Sequence, residues 1–253
     1  MSAHRFYVPA KRWSGRKLVL DDAESHHCVD VLRLQVGSRA MAFDGVGTEA
    51  IIELQATERE GVEALIISQS KTPSLRCAIT LAQAIPKGKN MDLIVQKATE
   101  LGVNRIVPLL SERTIVQLDA EEGTKRIEKW NQIVIEAAKQ CGQNWLPQIP
   151  EPISPKRFFA EFDRYELPLI ASLQSDARNF KHVLNEFRDH HGRRPTSAII
   201  LVGPEGDFTP AESSLAKSAG CVPVSLGPIV LRTETAAIYC LSVLGYELQG
   251  EEG

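Results

Sequence analysis

The pattern of apolar and polar positions changes near residue 73. Before that point, short β-rich segments such as RFYVP, SRAMAFDG and TEAIIELQAT are separated by Gly or charged turns, and DDAESHHCVDVLRL has the acidic start and basic end of a short helix. After the segment SKTPSLRC (70–77), buried-type strands alternate with amphipathic helices. Such alternation is typical of a mostly parallel α/β sheet. The sequence therefore predicts a small β-rich domain, 1–73, followed by an α/β domain, 74–253.

The second domain has clear strand and helix segments. The predicted strands are AITLAQAI, RIVPLL, LPLIASL, AIILVG and VPVSLG. The predicted helices are KNMDLIVQKATELGV, EEGTKRIEKWNQIVIEAAKQCG, FKHVLNEFRDHH, TPAESSLAKSAG and ETAAIYCLSVLGYEL. Gly102 and Gly142 are predicted to end two of these helices. Thr209, Pro210 and Glu212 fit a capping box with proline at the first helical position.

Composition limits the compartment and the ligands. The 5 cysteines are scattered and form no C-x-x-C pair, so neither a disulfide framework nor a zinc site is predicted. No apolar stretch approaches the length of a membrane span, and the N-terminus has no apolar signal region. We therefore expect a cytoplasmic protein with no membrane association and no metal.

The net charge and the distribution of charge along the chain indicate different partners. The formal net charge of -3 argues against nucleic acid as a partner. However, residues 1–20 and 64–91 carry lysine and arginine and no acidic residue. Together these two segments predict a phosphate-binding surface, and chance solvation of surface loops is the alternative. The candidate RNA contacts are Arg5, Arg12, Lys87 and Lys89.

Two strand-to-helix loops fall where parallel sheets bind ligands, at the carboxyl ends of strands. The first contains GPEG (203–206), and its glycines allow a ligand to approach the backbone closely. The second begins at Leu226-Gly227-Pro228 and leads to a helix that starts at Thr233-Glu234-Thr235, where these residues are expected to cap the helix. Neither loop has a phosphate-loop signature, and Glu205 would repel an anion. A cofactor with a neutral adenine and a positive centre fits better, and ordinary turns are the alternative.

VGPEGDFTPAE followed by SLGPIVLRTETAA resembles the two cofactor loops of the ribosomal RNA small subunit methyltransferase E family. HRFYV (4–8), HHCVDVLRLQVGSRAMAFDG (26–45) and KGKNMDLIVQKATELGVNRIVPLLSERTIV (87–116) are similar to further family segments, so the resemblance covers nearly the whole chain. It implies a SPOUT-type knotted parallel sheet with helices on both faces, preceded by a PUA-like RNA-binding domain. It also implies a homodimer that uses S-adenosylmethionine to methylate N3 of a uridine in 16S ribosomal RNA of the small subunit.

The resemblance also indicates site residues. The candidate cofactor contacts are Leu173, Val202, Gly203, Pro204, Glu205, Gly206, Leu226, Gly227 and Leu231. Ordinary core packing is the alternative, for the leucines more than for the glycines. Arg232 is the candidate for stabilising the uracil anion that forms when N3 loses its proton, and an ion pair with Glu234 or Glu205 is the alternative role. Glu234 is a candidate catalytic base, although a carboxylate at a helix start is commonly just stabilised by the helix dipole.

Gln143 and Ile229 stand where the resembled family is expected to carry basic residues. RNA contacts are therefore not predicted at these two positions. Two other functions stay open: a SPOUT enzyme that methylates the ribose 2′-hydroxyl, and a non-catalytic RNA-binding relative.

Overall fold

The structure is a computed structural model that describes residues 4–58, 61–114 and 120–250. The chain divides into two compact units. The first comprises the described part of Met1–Ser74 together with Ile135–Leu146, and the second comprises Leu75–Val134 and Pro147–Gly253 in their described parts. Over the described residues each unit contains a six-stranded sheet of its own.

The first unit is built on an antiparallel sheet with one parallel edge pair. Its strands are β1 (Arg5–Tyr7), β2 (Trp13–Ser14), β3 (Lys17–Val19), β4 (Arg39–Phe43), β5 (Thr48–Glu58) and β6 (Gly61–Lys71). The strand order is β1-β4-β5-β6-β3-β2, and β1 pairs with β4 in parallel. Alternate residues such as Leu18, Ile52 and Leu54 face one hydrophobic core, as the alternating sequence pattern requires. The predicted β-rich first part is confirmed.

The helical segment of the first unit begins where the sequence predicts. The Asp21 side chain accepts a hydrogen bond from the Glu24 backbone N–H at 2.9 Å and caps helix α1 (Asp22–His26). The helical segment then continues as a π-helical turn (His27–Val31). It is followed by Arg33, which has a left-handed φ of 54°. The π-helical turn was not predicted, because a widened turn leaves no periodic signature in so short a segment.

A buried ion pair fixes the end of the long helix within the first unit. Lys139 Nζ lies 3.0 Å from Glu24 Oε1, and both side chains are nearly inaccessible to solvent. Burial raises the pKa of Glu24, and the neighbouring ammonium of Lys139 acts in the opposite direction. The residues Ile135–Leu146 are thus held to the first unit by a desolvated charge pair as well as by packing.

The second unit contains a parallel sheet, as predicted. Its strands are β7 (Ala78–Ala84), β8 (Arg105–Leu109), β9 (Leu167–Ala171), β10 (Arg178–Asn179), β11 (Ser197–Val202) and β12 (Val222–Ser225). The strand order is β10-β12-β9-β11-β7-β8, with parallel pairing between neighbours. Central strands such as β11 are buried along almost their whole length, which explains their continuous apolar sequences.

Helices flank this sheet. They are α2 (Asn90–Glu100), α3 (Ala120–Cys141), α4 (Pro155–Ala160), α5 (Phe180–His191), α6 (Pro210–Ser218) and α7 (Thr233–Gln249). The predicted capping box of α6 is present, since Thr209 and Glu212 bond each other's backbone N–H groups. Helix α4 was not predicted, because six residues are too few to show a helical period.

The strand order determines where the loops meet. β9 lies between β12 and β11 and pairs with both in parallel. Parallel neighbours end at the same edge of a sheet, so the loops that follow β9, β11 and β12 leave this edge side by side. None of the helices in the described part of the chain is long and apolar enough to cross a membrane.

Candidate functional site

The loops after β9, β11 and β12 and the start of α7 enclose a cavity of about 260 Å³. Its lining combines backbone of glycine-containing turns, apolar side chains and a few charged groups. The lining residues are Ala171, Ser172, Leu173, Val202, Gly203, Pro204, Glu205, Asp207, Leu226, Gly227, Ile229, Val230, Leu231, Arg232, Thr233 and Ala236.

The cavity brings together most of the cofactor contacts predicted from the sequence. Those that line it are Leu173, Val202, Gly203, Pro204, Glu205, Leu226, Gly227 and Leu231. Gly206 lies outside the lining, and its carbonyl accepts a hydrogen bond from the guanidinium of Arg113. The two loops chosen from the sequence therefore form one concave site, and the role of each residue as a cofactor contact stays a prediction.

The first loop is tightly folded around Gly203. A Cβ atom at this position would lie 3.1 Å from Asp207 Oδ1 and 3.1 Å from the Phe208 backbone nitrogen. The Asp207 N–H donates to the Pro204 carbonyl at 2.9 Å and closes the turn. The absence of a side chain at Gly203 thus allows the loop to fold back against the cavity wall.

Gly227 serves the second loop differently. Its φ of 118° lies in a region that residues with a side chain rarely adopt, whereas a Cβ there would meet no atom of the described residues within 4 Å. Glycine is needed at this position for backbone conformation and not for space. The turn it allows directs the chain from β12 into the segment that lines the cavity.

Thr233 joins the two loops, which differs from the helix-capping role predicted for Thr233–Thr235. The residue before the helix is Arg232, and its side chain makes no capping hydrogen bond. The Thr233 hydroxyl instead donates to the Gly203 carbonyl at 2.8 Å and accepts from Gln83 Nε2 at 3.0 Å. The buried hydroxyl therefore links the end of β7, the first loop and the start of α7.

Arg232 is exposed and lines the cavity. Over the described residues, its guanidinium makes no hydrogen bond or ion pair, so the alternative pairing with Glu205 or Glu234 is not observed. The Glu205 carboxylate accepts from the Lys87 backbone N–H at 3.2 Å. The guanidinium is thus available to an anionic group of a ligand.

Glu234 is placed differently from Arg232. Its side chain does not contribute to the described lining of the cavity, and its carboxylate accepts a hydrogen bond from Asn90 Nδ2 at 3.2 Å. It also lies in the first turn of α7, where the helix dipole favours a negative charge. These contacts account for Glu234 without a catalytic role, and its assignment as a base stays a prediction.

The lining suits the cofactor implied by the sequence resemblance. Leu173, Ile229 and Val230 expose 63%, 73% and 70% of their surface and offer apolar contact to a planar ring. The carboxylates of Glu205 and Asp207 in the lining are compatible with a positively charged centre. Ile229, which replaces an expected basic residue, therefore contributes an apolar wall.

The candidate RNA contacts differ in exposure, since Arg5 is half-buried and the others are exposed. Arg12, Lys87 and Lys89 are exposed, and none has an ion-pair partner among the residues that the structure describes. The Arg5 side chain is only 12% exposed, lies 2.6 Å from Asn144 Oδ1 and stacks over the Phe43 ring. These contacts indicate a structural role, and Arg5 is left out of the RNA surface proposed below.

Gln143 has a structural role in the first unit. Its Oε1 accepts hydrogen bonds from the backbone N–H groups of Asn144 and Trp145 at 3.1 and 3.3 Å. The side chain therefore stabilises the turn after α3. A basic side chain at this position could not accept these hydrogen bonds.

Asp207 and Thr233 are site residues that sequence reasoning missed. Both line the cavity, but each is connected by hydrogen bonds to a loop or strand distant in sequence.

The described residues contain no group of three or more His, Cys, Asp or Glu side chains arranged to hold a metal ion. The lining offers backbone groups, apolar walls, the carboxylates of Glu205 and Asp207 and the guanidinium of Arg232.

Two family profiles match the chain. The profile of an RNA methyltransferase domain matches residues 73–245, and that of an RNA methyltransferase PUA domain matches residues 20–67. These matches agree with the α/β and β-rich units and confirm the PUA-like character expected of the first part.

Relatives cover almost the full length of the chain. The ribosomal RNA small subunit methyltransferase E of Bacillus subtilis is 31% identical over 89% of this chain and 88% of its own. A Legionella pneumophila protein solved with bound cofactor SAM is 34% identical, with a TM-score of 0.86 over 97% of this chain and 98% of its own. The methyltransferase E of Neisseria gonorrhoeae, bound to S-adenosyl methionine, is 32% identical, with a TM-score of 0.84 over the same shares. The chain belongs to the ribosomal RNA small subunit methyltransferase E family.

Proposed function

We propose that this protein transfers the methyl group of S-adenosylmethionine to N3 of a uridine in 16S ribosomal RNA of the small subunit. The observation that carries the proposal is the cavity at the carboxyl ends of β9, β11 and β12, whose lining includes Arg232. Membership of the family and the cofactor bound in solved relatives support the same activity.

The cofactor supplies an activated methyl group, so the protein has to position it and exclude water. The backbone groups of Val202, Gly203 and Leu226 are assigned to hold the adenine and ribose, with Leu173 and Leu231 as apolar walls. Thr233 fixes the two cofactor loops relative to each other through its hydrogen bond to Gly203.

The target atom is N3 of uracil. Its N–H group is a weak acid that is mostly protonated at neutral pH. Loss of its proton leaves a negative charge that spreads over the two neighbouring carbonyl oxygens. A guanidinium presents several N–H donors in one plane and can stabilise charge on acceptors of this kind. Arg232 is assigned this role, because its side chain lines the cavity and has no partner among the described residues.

The proposal is tested by methylation of small ribosomal subunits purified from a strain that lacks the native enzyme. The product is digested to nucleosides and separated by mass spectrometry with chromatographic standards. Formation of N3-methyluridine supports the proposal. A ribose 2′-O-methylated nucleoside would identify a different methyltransferase reaction, and binding of RNA without any methylation would identify a non-catalytic relative.

We infer that residues 1–73 act as the PUA-like RNA-binding domain and that residues 74–253 form the trefoil-knotted catalytic domain. The exposed Arg12 of the first and the exposed Lys87 and Lys89 of the second are assigned to RNA phosphates. Cytoplasmic localisation follows from the location of the proposed substrate.

Reversing Arg12 and Lys89 to glutamate is expected to weaken RNA binding and to flatten its dependence on salt. Each lost phosphate contact means that fewer counterions are released when RNA binds. For a duplex, each lost contact lowers the magnitude of the slope of log K against log salt concentration by about 0.9. Titrations at several salt concentrations measure the slope, with calorimetry of S-adenosylmethionine as the control. An unchanged slope would show that RNA contacts other residues.

The protein is expected to be a homodimer in solution. Tyr239 and Tyr246 are seven residues apart on one face of α7 and expose 43% and 82% of their surface. Light scattering at micromolar concentration should report about twice the chain mass of 27.9 kDa, and Tyr246→Arg should reduce that mass. A mass near that of one chain for the unchanged protein would refute the dimer.

A further inference from the structure

Asp207 has an unusual backbone conformation for a residue with a side chain. Its φ is 62°, in the left-handed region that glycine adopts easily and that aspartate and asparagine tolerate better than most other residues. The residue lines the cavity and closes the turn Pro204–Asp207 through its own backbone N–H. Left-handed residues of this kind persist where surrounding contacts hold them, and they are common at ligand sites.

Both carboxylate oxygens of Asp207 accept hydrogen bonds from backbone N–H groups. Oδ1 accepts from Phe208 at 2.7 Å, which fixes the side chain on its own loop. Oδ2 accepts from Leu173 at 3.3 Å, and Leu173 belongs to the loop that follows β9. The carboxylate therefore connects the loop after β9 to the loop after β11, and both loops contribute to the lining.

The connection matters because Leu173 is poorly supported by packing. Its side chain is 63% exposed although it lines the cavity, so hydrophobic burial does little to fix its position. The left-handed backbone at Asp207 places its carboxylate against Gly203, since a Cβ there would lie 3.1 Å from Oδ1. Gly203, Asp207 and Leu173 thus form one connected wall.

We infer that Asp207 is a positioning residue of the cofactor pocket, whose carboxylate holds the backbone of Leu173 in place for ligand binding. The inference rests on the proposed function in that the ligand is S-adenosylmethionine. Asp207 acts through its hydrogen bond to Leu173 and not through its charge. Its effect on affinity is therefore the same for the cationic cofactor and for the product S-adenosylhomocysteine, whose sulfur is uncharged.

Asp207→Asn is the direct test of this inference. Asparagine has nearly the same shape and tolerates the left-handed conformation, but it has only one acceptor oxygen. With that oxygen bound to Phe208, the amide N–H₂ faces the Leu173 N–H and the connection is lost. Affinities for S-adenosylmethionine and S-adenosylhomocysteine are both expected to fall by about three- to tenfold, the size of one lost hydrogen bond.

A second measurement needs no ligand. Hydrogen exchange of the Leu173 amide, followed by NMR in the free protein, is expected to be severalfold faster in Asp207→Asn because that N–H has lost its acceptor. In steady-state assays the KM for the cofactor should rise, while kcat and the KM for RNA stay close to those of the unchanged protein. A general loss of folded protein would not produce this separation.

Asp176→Asn is the matched control. Asp176 lies in the same loop as Leu173, is exposed, pairs with Lys217 and is not part of the described lining of the cavity. Asp176→Asn removes one negative charge from this loop and leaves the hydrogen bond between Asp207 and Leu173 in place. Hydrogen exchange at the Leu173 amide and the affinities for both ligands should therefore be unchanged. If Asp207→Asn does not fold, Asp207→Gly replaces it, because glycine accepts the left-handed backbone and also lacks the carboxylate.

Three results would overturn the inference. Unchanged exchange at Leu173 would show that the hydrogen bond does not hold this segment. Unchanged affinity for both ligands would show that the segment does not position them, and a loss confined to S-adenosylmethionine would show that Asp207 acts through its charge. If the unchanged protein binds neither ligand, the proposed function fails, and the exchange measurement still decides whether Asp207 holds Leu173.

Discussion

Arg232→Ala is expected to lower the single-turnover rate of methyl transfer by about a hundredfold or more, with little change in affinity for S-adenosylmethionine. The magnitude is typical for removal of a group that stabilises charge in the transition state. Arg232 is exposed, lines the cavity and has no ion-pair partner in the part of the chain that the structure describes. Its removal should therefore leave the fold and the cofactor contacts intact.

Arg232→Lys is expected to fail as well. An ammonium is a point charge without the planar arrangement of donors that can span two carbonyl oxygens. Raising the pH should recover part of the rate in both variants, because N3 of uracil then loses its proton without help. Single-turnover assays across pH, combined with calorimetry of the cofactor, measure these effects. If Arg232→Ala unfolds the protein or abolishes cofactor binding, the arginine is structural.

Gly203→Val is expected to lower the affinity for S-adenosylmethionine by about a hundredfold or more while most of the fold is kept. The first added carbon atom would already lie 3.1 Å from the Phe208 backbone nitrogen and 3.2 Å from Asp207 Cα. The branched side chain adds further crowding, and backbone cannot yield as a flexible side chain can. The loop must then move away from its position in the cavity wall.

Gly192→Ala is the control for this prediction. Gly192 ends helix α5 with a left-handed φ of 63°, and a Cβ there would meet no atom within 4 Å in the part of the chain that the structure describes. The change is expected to destabilise the fold by about 1 kcal/mol through backbone strain, without an effect on the cofactor. Calorimetry with both variants, after circular dichroism has shown that each is folded, makes the comparison. Unchanged affinity in a folded Gly203→Val protein would refute the assignment of this loop.

The sequence predicted those features that depend on neighbouring residues. Helix α6 could be located from Thr209, Pro210 and Glu212 alone, because a capping box and an N-terminal proline act within one turn. The two cofactor loops could be expected to meet, because loops after parallel strands leave the sheet at one edge. The order of the strands was not predicted, because apolar strands of similar length offer no pairing code.

Contacts between residues distant in sequence were not predicted. The expected RNA contact Arg5 bonds Asn144, which lies 139 positions away in sequence. Thr233 was expected to cap its own helix, and its hydroxyl instead bonds Gly203 and Gln83. In each case the hydrogen-bond partner is distant in sequence, and the local pattern of residues could not indicate it.

The hydrogen bond between Gln83 and Thr233 spans 150 positions of the chain. During synthesis, Gln83 at the end of β7 can therefore bond Thr233 only after most of the second unit has left the ribosome. The cavity lining extends to Ala236, which lies after β12 in the chain. Contacts this distant in sequence form late and slowly. A nascent chain thus has most of its sheet before it has a pocket, and an incomplete chain cannot have the complete pocket.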